Sequence, residues 1–245
     1  MNFKYGWIAQ KPDQRDLKFT LIKKDVILPD VVDLRPYCSA IENQGDLGSC
    51  TANALVSNLE FIELKDNIIP FEEKSRLFIY WNERNLEGTV DSDSGAVIRD
   101  GIKTLAKHGC CSEAEWAYDI TRFTEQPSFQ CYIDAKQHRI TSYYALETKN
   151  DILNCLASGF PVVLGISVYE SFESEIAIKT GIVPMPDLNE SMIGGHAIAL
   201  VGYNIFTEQF IFRNSWGVEY GEQGYGFLPF EYIEKLSSDA WTIRR

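Results

Sequence analysis

The stretch Gln44-Gly45-Asp46-Leu47-Gly48-Ser49-Cys50-Thr51-Ala52-Asn53-Ala54 constrains this chain most, because a glycine-rich turn there hands a cysteine directly to a helix. From Ala52 the apolar residues Ala52, Leu55, Leu59 and Ile62 recur at a spacing that keeps them on one helical face. Ser49 is a good N-cap residue, which puts Cys50 in the first turn. A thiol in that position feels the positive end of the helix dipole, which favours thiolate over thiol. The same pattern also suits a small buried cysteine behind an ordinary turn, so the stretch alone leaves both readings open.

A chain of 245 residues can form one large domain or two lobes sharing a core. Hydrophobic content of 45% and aromatic content of 13% describe an ordered globular protein. The formal charge of −12 argues against nucleic acid or an anionic membrane as the main partner. No segment reaches the roughly 18 consecutive apolar residues of a membrane span. The opening residues Met1 to Gly6 lack the apolar core of a signal peptide, and the compartment stays open between secreted and cytoplasmic. The cysteines, Cys38, Cys50, Cys110, Cys111, Cys131 and Cys155, are compatible with one or two disulfides plus free thiols, without fixed pairing.

In chain order, residues 1–27 read as a polar extended arm that Tyr5, Trp7 and Ile8 could dock on the body. An opening strand at 28–36 is closed by Pro36, and the helix from Cys50 ends near Asp66-Asn67. Further helices are expected over 74–86, over Ala96 to Lys107 with a stop at His108-Gly109, and over 149–157. The second half changes character. Short runs rich in β-branched and aromatic residues at 162–168, 196–203, 210–214 and 224–228 predict strands. Helices first and strands later give an α+β fold with two lobes.

Three histidines limit the chemistry. His108 closes a helix, where a cation suits the dipole; with Cys110 and Cys111 it lacks a second ligand pair at a usable spacing, so no metal and no cofactor is expected. His138 lies in a solvated-looking run and receives no role. His196 follows Gly194-Gly195 and begins an apolar strand, as either a satisfied core histidine or a catalytic base. Arg213-Asn214-Ser215-Trp216-Gly217 ends another strand and offers an amide that could orient an imidazole under an indole. A cysteine nucleophile needs a base and a group that orients the base, and Cys50, His196 and Asn214 supply those types in order.

Over nearly all of residues 28–245 the sequence resembles the papain-like cysteine peptidases. Gln44 precedes Cys50 by the family's spacing between oxyanion glutamine and nucleophile. Gly194-Gly195-His196-Ala197 is similar to the histidine motif, and Asn214-Ser215-Trp216-Gly217 with Gly221 to Tyr225 to the asparagine motif. Leu28-Pro29 through Asp33-Leu34-Arg35 matches the usual start of the mature domain. The resemblance implies a helical lobe, roughly 38–128, and a β-barrel-like lobe, roughly 129–245 with 28–37, flanking an active cleft. It also implies an endopeptidase. Cys50 attacks the peptide carbonyl to form a thioester acyl-enzyme, His196 protonates the leaving amine, and Asn214 orients His196. Gln44 and the Cys50 N–H stabilise the oxyanion. Gly95 matches a backbone that holds extended substrate; Ser94, Gly195 and Trp216 join it as substrate-binding candidates.

The implied partners are a polypeptide substrate and either a proteinaceous inhibitor or the chain's own arm, with residues 1–27 acting as a short pro-segment of a zymogen. A monomer is expected. Departures occur at Leu47, which removes a disulfide cysteine, and at Thr51, Gly195 and Tyr220, which bear on subsite preference. A divergent, bacterial-type branch fits these departures. Two competing readings remain: a catalytically silent papain-like peptide-binding protein, and an acyl transferase using the same triad.

Overall fold

Helix α1 (Cys50–Lys65) is the axis of the molecule. Its residues are buried from Cys50 to Glu63, well beyond the single face that Ala52, Leu55, Leu59 and Ile62 define. The helix is enclosed because α2 (Arg76–Glu87) and α3 (Ile98–Lys107) pack on one side and the sheet packs on the other. The computed structural model describes residues 3–22 and 27–245. Of the expected arm, residues 1–2 and 23–26 lie outside the described residues.

The helices begin where polar side chains take over the first orphan amides. Ser75 accepts from the Phe78 amide at the start of α2, and Ser128 accepts from Cys131 at the start of α4 (Phe129–Ala135). Thr148 caps α5 (Lys149–Ala157) and Ser174 caps α6 (Glu175–Thr180) in the same way. Ser49, the expected cap of α1, makes no such bond. Its hydroxyl pairs instead with the Tyr118 hydroxyl and accepts from Asn53 Nδ2. Helix α3 starts two residues later than expected because the Ala96 backbone is already committed: its N–H donates to Gly6 and its carbonyl accepts from Ile8.

The strands are β1 (Val31–Asp33), β2 (Ser142–Leu146), β3 (Val162–Tyr169), β4 (Met192–Asn204), β5 (Gln209–Arg213), β6 (Tyr225–Pro229) and β7 (Ser237–Arg244). They form one antiparallel sheet in the order β2-β7-β3-β4-β5-β6, with β1 on β4. The sheet is open, with β2 and β6 at its ends, so barrel-like closure is not reached. Ile166 pairs with His196 and Ala199 with Arg213, so the β3-β4-β5 register fixes the positions of His196 and Asn214 together. Helix α7 (Phe230–Leu236) leads into β7. A single buried apolar cluster runs from α1 to α3 through β3, β4, β5 and β7, so the helical and β-rich halves share one core.

One side chain judged solvated is part of a buried charge group. Glu63 (1% exposed) pairs with Lys74 (1% exposed) at 3.1 Å, with His138 Nδ1 at 2.7 Å and with Arg245 at 3.1 Å. His138 therefore ties the segment after α4 to α1. The run Lys136-Gln137-His138-Arg139 looks solvated in sequence because its acidic partner lies 75 positions away.

Candidate active site

Residues Gln44 to Gly48 form a turn pinned from three directions. The Gln44 amide donates to the Ser215 carbonyl, and the Gly48 amide donates to the Asp93 carboxylate at 3.0 Å. The Gln44 side chain is fully buried; its Oε1 accepts from the Ser215 hydroxyl at 2.6 Å. Its Nε2 donates to the Leu47 carbonyl at 2.9 Å and to the Lys4 carbonyl at 3.0 Å. The side-chain amide is thus oriented, with its donor face directed at a carbonyl from another part of the chain. Cys50 follows at the first position of α1 with its side chain buried.

Strand β4 carries His196, and Asn214 stands one residue beyond β5. His196 Nε2 and Asn214 Oδ1 are 2.8 Å apart. The amide oxygen can only accept, so the ring donates from Nε2 and Nδ1 is left facing away from Asn214. Trp216 stacks on the imidazole with ring centroids 5.0 Å apart and planes 25° apart. Phe172 and Tyr5 meet the same ring edge-on. Backbone amides of Ala197 and Gly6 lie close to the Cys50 sulfur, so the thiol sits against β4 at the residue that follows His196. His196 Nδ1 is buried and makes no hydrogen bond, so the thiol is not bonded to the ring.

The arm lies over both residues. Phe3 stacks on Trp216 at 3.9 Å, the Lys4 carbonyl accepts from Gln44, and Tyr5 covers His196. Gly6 passes so close to the Gly48 carbonyl that a Cβ there would sit 1.8 Å from its oxygen. Gly95, at φ +74°, is equally tight: a Cβ would lie 2.2 Å from the Gly6 oxygen. Trp7 donates from its backbone to the Gly195 carbonyl at 3.0 Å and from its indole to Asp239 at 3.2 Å. The Tyr5 hydroxyl donates to Glu173, and Arg99 holds Asp16 farther along the arm.

Burial under the arm decides protonation. Desolvation pushes the Cys50 thiol up to about 12 and the His196 imidazole down to about 4, although the Asn214 bond favours the charged ring. The helix dipole does not prevail here, contrary to the thiolate expected at the start of α1. With water excluded and no bond to the neutral ring, the covered site holds a neutral thiol beside a neutral imidazole. His108, expected to carry charge at the end of α3, is instead shifted down by burial and by Lys107.

The structure thus brings together Cys50, His196, Asn214, Gln44, Gly95, Gly195 and Trp216. Ser94 stands apart: it is exposed and its hydroxyl donates to Thr89. Sequence reasoning missed Ala96, whose backbone rather than that of Gly95 pairs with the arm, and Ser215, which holds Gln44. The only signal for either was adjacency to a motif. All six cysteines are free thiols.

The chain matches the papain family of cysteine proteases over residues 28–232. It belongs to that family. An uncharacterized peptidase C1-like protein of Acanthamoeba polyphaga mimivirus is 41% identical, over 98% of this chain and 86% of its own length. A viral cathepsin of Cydia pomonella granulosis virus is 25% identical over 81% of this chain, which spans 57% of that relative. Among solved structures, Xylellain, a cysteine protease from Xylella fastidiosa, superposes with a TM-score of 0.91 at 41% identity, covering 98% of this chain and 95% of that one. The fold is also that of procathepsin B from Trypanosoma congolense, with a TM-score of 0.74 at 18% identity. These relationships make the chain a papain-type cysteine peptidase, hence a hydrolase. Among the described residues, no helix is long and apolar enough to cross a membrane.

Proposed function

We propose that this papain-family chain is an endopeptidase whose own N-terminal arm plugs the cleft and must leave before a polypeptide substrate enters. The mature catalytic part is residues 28–245, and residues 1–27 are the regulatory segment. The observation that carries this reading is the Asn214-bonded His196 packed beside Cys50, with Gly6 and Tyr5 lying over both.

The chemistry follows once the arm is out. Water then lowers the cost of charging the pair, and the dipole of α1 and the Asn214 bond favour Cys50 thiolate beside His196 imidazolium. The thiolate adds to the scissile carbonyl. The oxyanion takes the Gln44 Nε2 donor, the group the Lys4 carbonyl occupies in the covered state, together with the Cys50 N–H. The imidazolium gives its proton to the leaving amine, leaving a thioester that water hydrolyses with His196 as base. Gly95, Gly195 and Trp216 line the path of the arm, which supports their assignment to substrate.

The covered cleft also supports a second reading, a silent peptide-binding protein plugged permanently by its own arm. One experiment separates them. Chains with and without residues 1–27 are assayed on a fluorogenic peptide and labelled with a thiol-directed epoxide, with adducts mapped by mass spectrometry. The peptidase reading expects hydrolysis and Cys50 labelling to rise when the arm is removed. A folded, arm-free protein that neither hydrolyses peptide nor labels at Cys50 overturns it.

A further inference from the structure

Away from the cleft, three side chains of metal-ligand type converge. Cys111, in the segment after α3, Glu115 four residues on, and Cys131 on α4 bring two sulfurs and a carboxylate oxygen within 4.8 Å of one another. Both sulfurs are buried, at 0% and 1% exposure, whereas Glu115 reaches solvent. Asp134, beside Glu115, follows Cys131 by three positions and shares its face of α4. Gln130 Nε2 donates to Asp134 at 3.1 Å and fixes that carboxyl from the solvent side.

The Cys131 sulfur lies 3.3 Å from the Ser128 hydroxyl, a donor that a thiolate retains, whereas the neighbouring Cys110 and His108 are committed elsewhere. The Cys110 thiol donates to the Ser75 carbonyl at 3.3 Å, and the His108 ring packs edge-on against Tyr132. Among the described residues, no Lys or Arg forms an ion pair with Glu115 or Asp134. Two thiols and a carboxylate thus meet where, among the described residues, no lysine or arginine pairs with the carboxylate. Sequence alone supplied no second ligand pair for Cys111, because its partner on α4 lies 20 positions away and is reached only through the fold.

We propose that Cys111, Cys131 and Glu115 form a structural binding site for a zinc-type divalent cation, its fourth position open to solvent beside the exposed Glu115. Two thiolates and a carboxylate oxygen, with solvent at the fourth position, suit the tetrahedral coordination and borderline softness of that ion. Binding forms two metal–sulfur bonds and one metal–oxygen bond to Glu115 and releases both thiol protons. The cation would tie the segment after α3 to α4 on the outside of the helical half. A redox disulfide fits less well: reactive cysteine pairs sit in electropositive surroundings, and this pair lies against carboxylates.

The test uses the full chain carrying Cys50→Ala, so that the cleft thiol cannot bind metal. Cobalt(II) is the spectroscopic probe and zinc its competitor. One equivalent of cobalt is expected to give a thiolate-to-metal charge-transfer band with tetrahedral visible bands, which zinc abolishes. Cys131→Ser should diminish the charge-transfer band, and Glu115→Gln should weaken binding by about tenfold or more. Glu115 is exposed, so its variant tests the site even where a cysteine variant fails to fold. Absence of the band, or unchanged binding in Glu115→Gln and Cys131→Ser, overturns the proposal. So does a Cys111–Cys131 disulfide recovered from protein kept with zinc and without added oxidant.

Discussion

Trp7→Ala tests how firmly the arm is held. Trp7 is 9% exposed, and its indole lies so close to β3 that a Cβ on Gly165 would sit 2.1 Å from a ring atom. Truncating a buried tryptophan costs about 3–5 kcal/mol. The low end applies, since water can refill a groove at the surface, the Trp7–Gly195 backbone bond survives, and Asp239 keeps the Gln10 amide as a donor. A loss of about 3 kcal/mol in docking is about a hundredfold rise in the open population, at roughly 1.4 kcal/mol per factor of ten. If opening is a rapid pre-equilibrium, alkylation of Cys50 accelerates by about the same hundredfold. The rate is read by mass mapping, because five other cysteines compete. Cys110, buried within the helical half, is the internal control against global unfolding. Unchanged Cys50 labelling in a folded Trp7→Ala protein refutes the view that docking of Trp7 limits access.

Gly6→Ala should release the arm through sterics alone, because the new Cβ meets the Gly48 backbone at 1.8 Å; faster Cys50 labelling at unchanged melting temperature checks it. In arm-deleted protein, Gln44→Ala should lower kcat for peptide hydrolysis by about 10²–10³ while leaving Cys50 alkylation nearly unaffected. Acid should open the covered form of a Cys50→Ala chain, in which no thiol proton is lost to offset the one that His196 gains. The covered His196 ring takes its proton only near pH 4, an exposed ring near its usual 6.5, so the open form binds more protons between those values. Stability of the covered form is then full above about pH 6.5 and falls as pH drops toward 4, with Asp239, shifted up by burial, opposing part of the effect. Cleavage of the arm by an added protease, followed across that pH range, reads this directly. Lys74→Met should cost about 3–5 kcal/mol by leaving Glu63 buried beside only His138 and Arg245, and denaturant unfolding measures it.

The sequence by itself determined the family and the chemical cast. The spacing of Gln44 to Cys50, the glycines before His196 and the run Asn214 to Gly217 are local patterns, legible because each needs only its own neighbours. Helix α5 and the buried strands were equally plain, since periodicity and β-branched runs survive without tertiary context. The short α4, α6 and α7 and the polar first half of β7 carry too few residues for a period to show. What only the tertiary structure decided are the long-range meetings. These are the covering of Cys50 by Gly6 and the resulting neutral dyad, His138 against Glu63, and Cys111 against Cys131. Each depends on which groups lose water together, and desolvation is a property of the packed molecule. The helix dipole that promised a thiolate at Cys50 is real, but a local term yields when a distant segment of the same chain takes the solvent away.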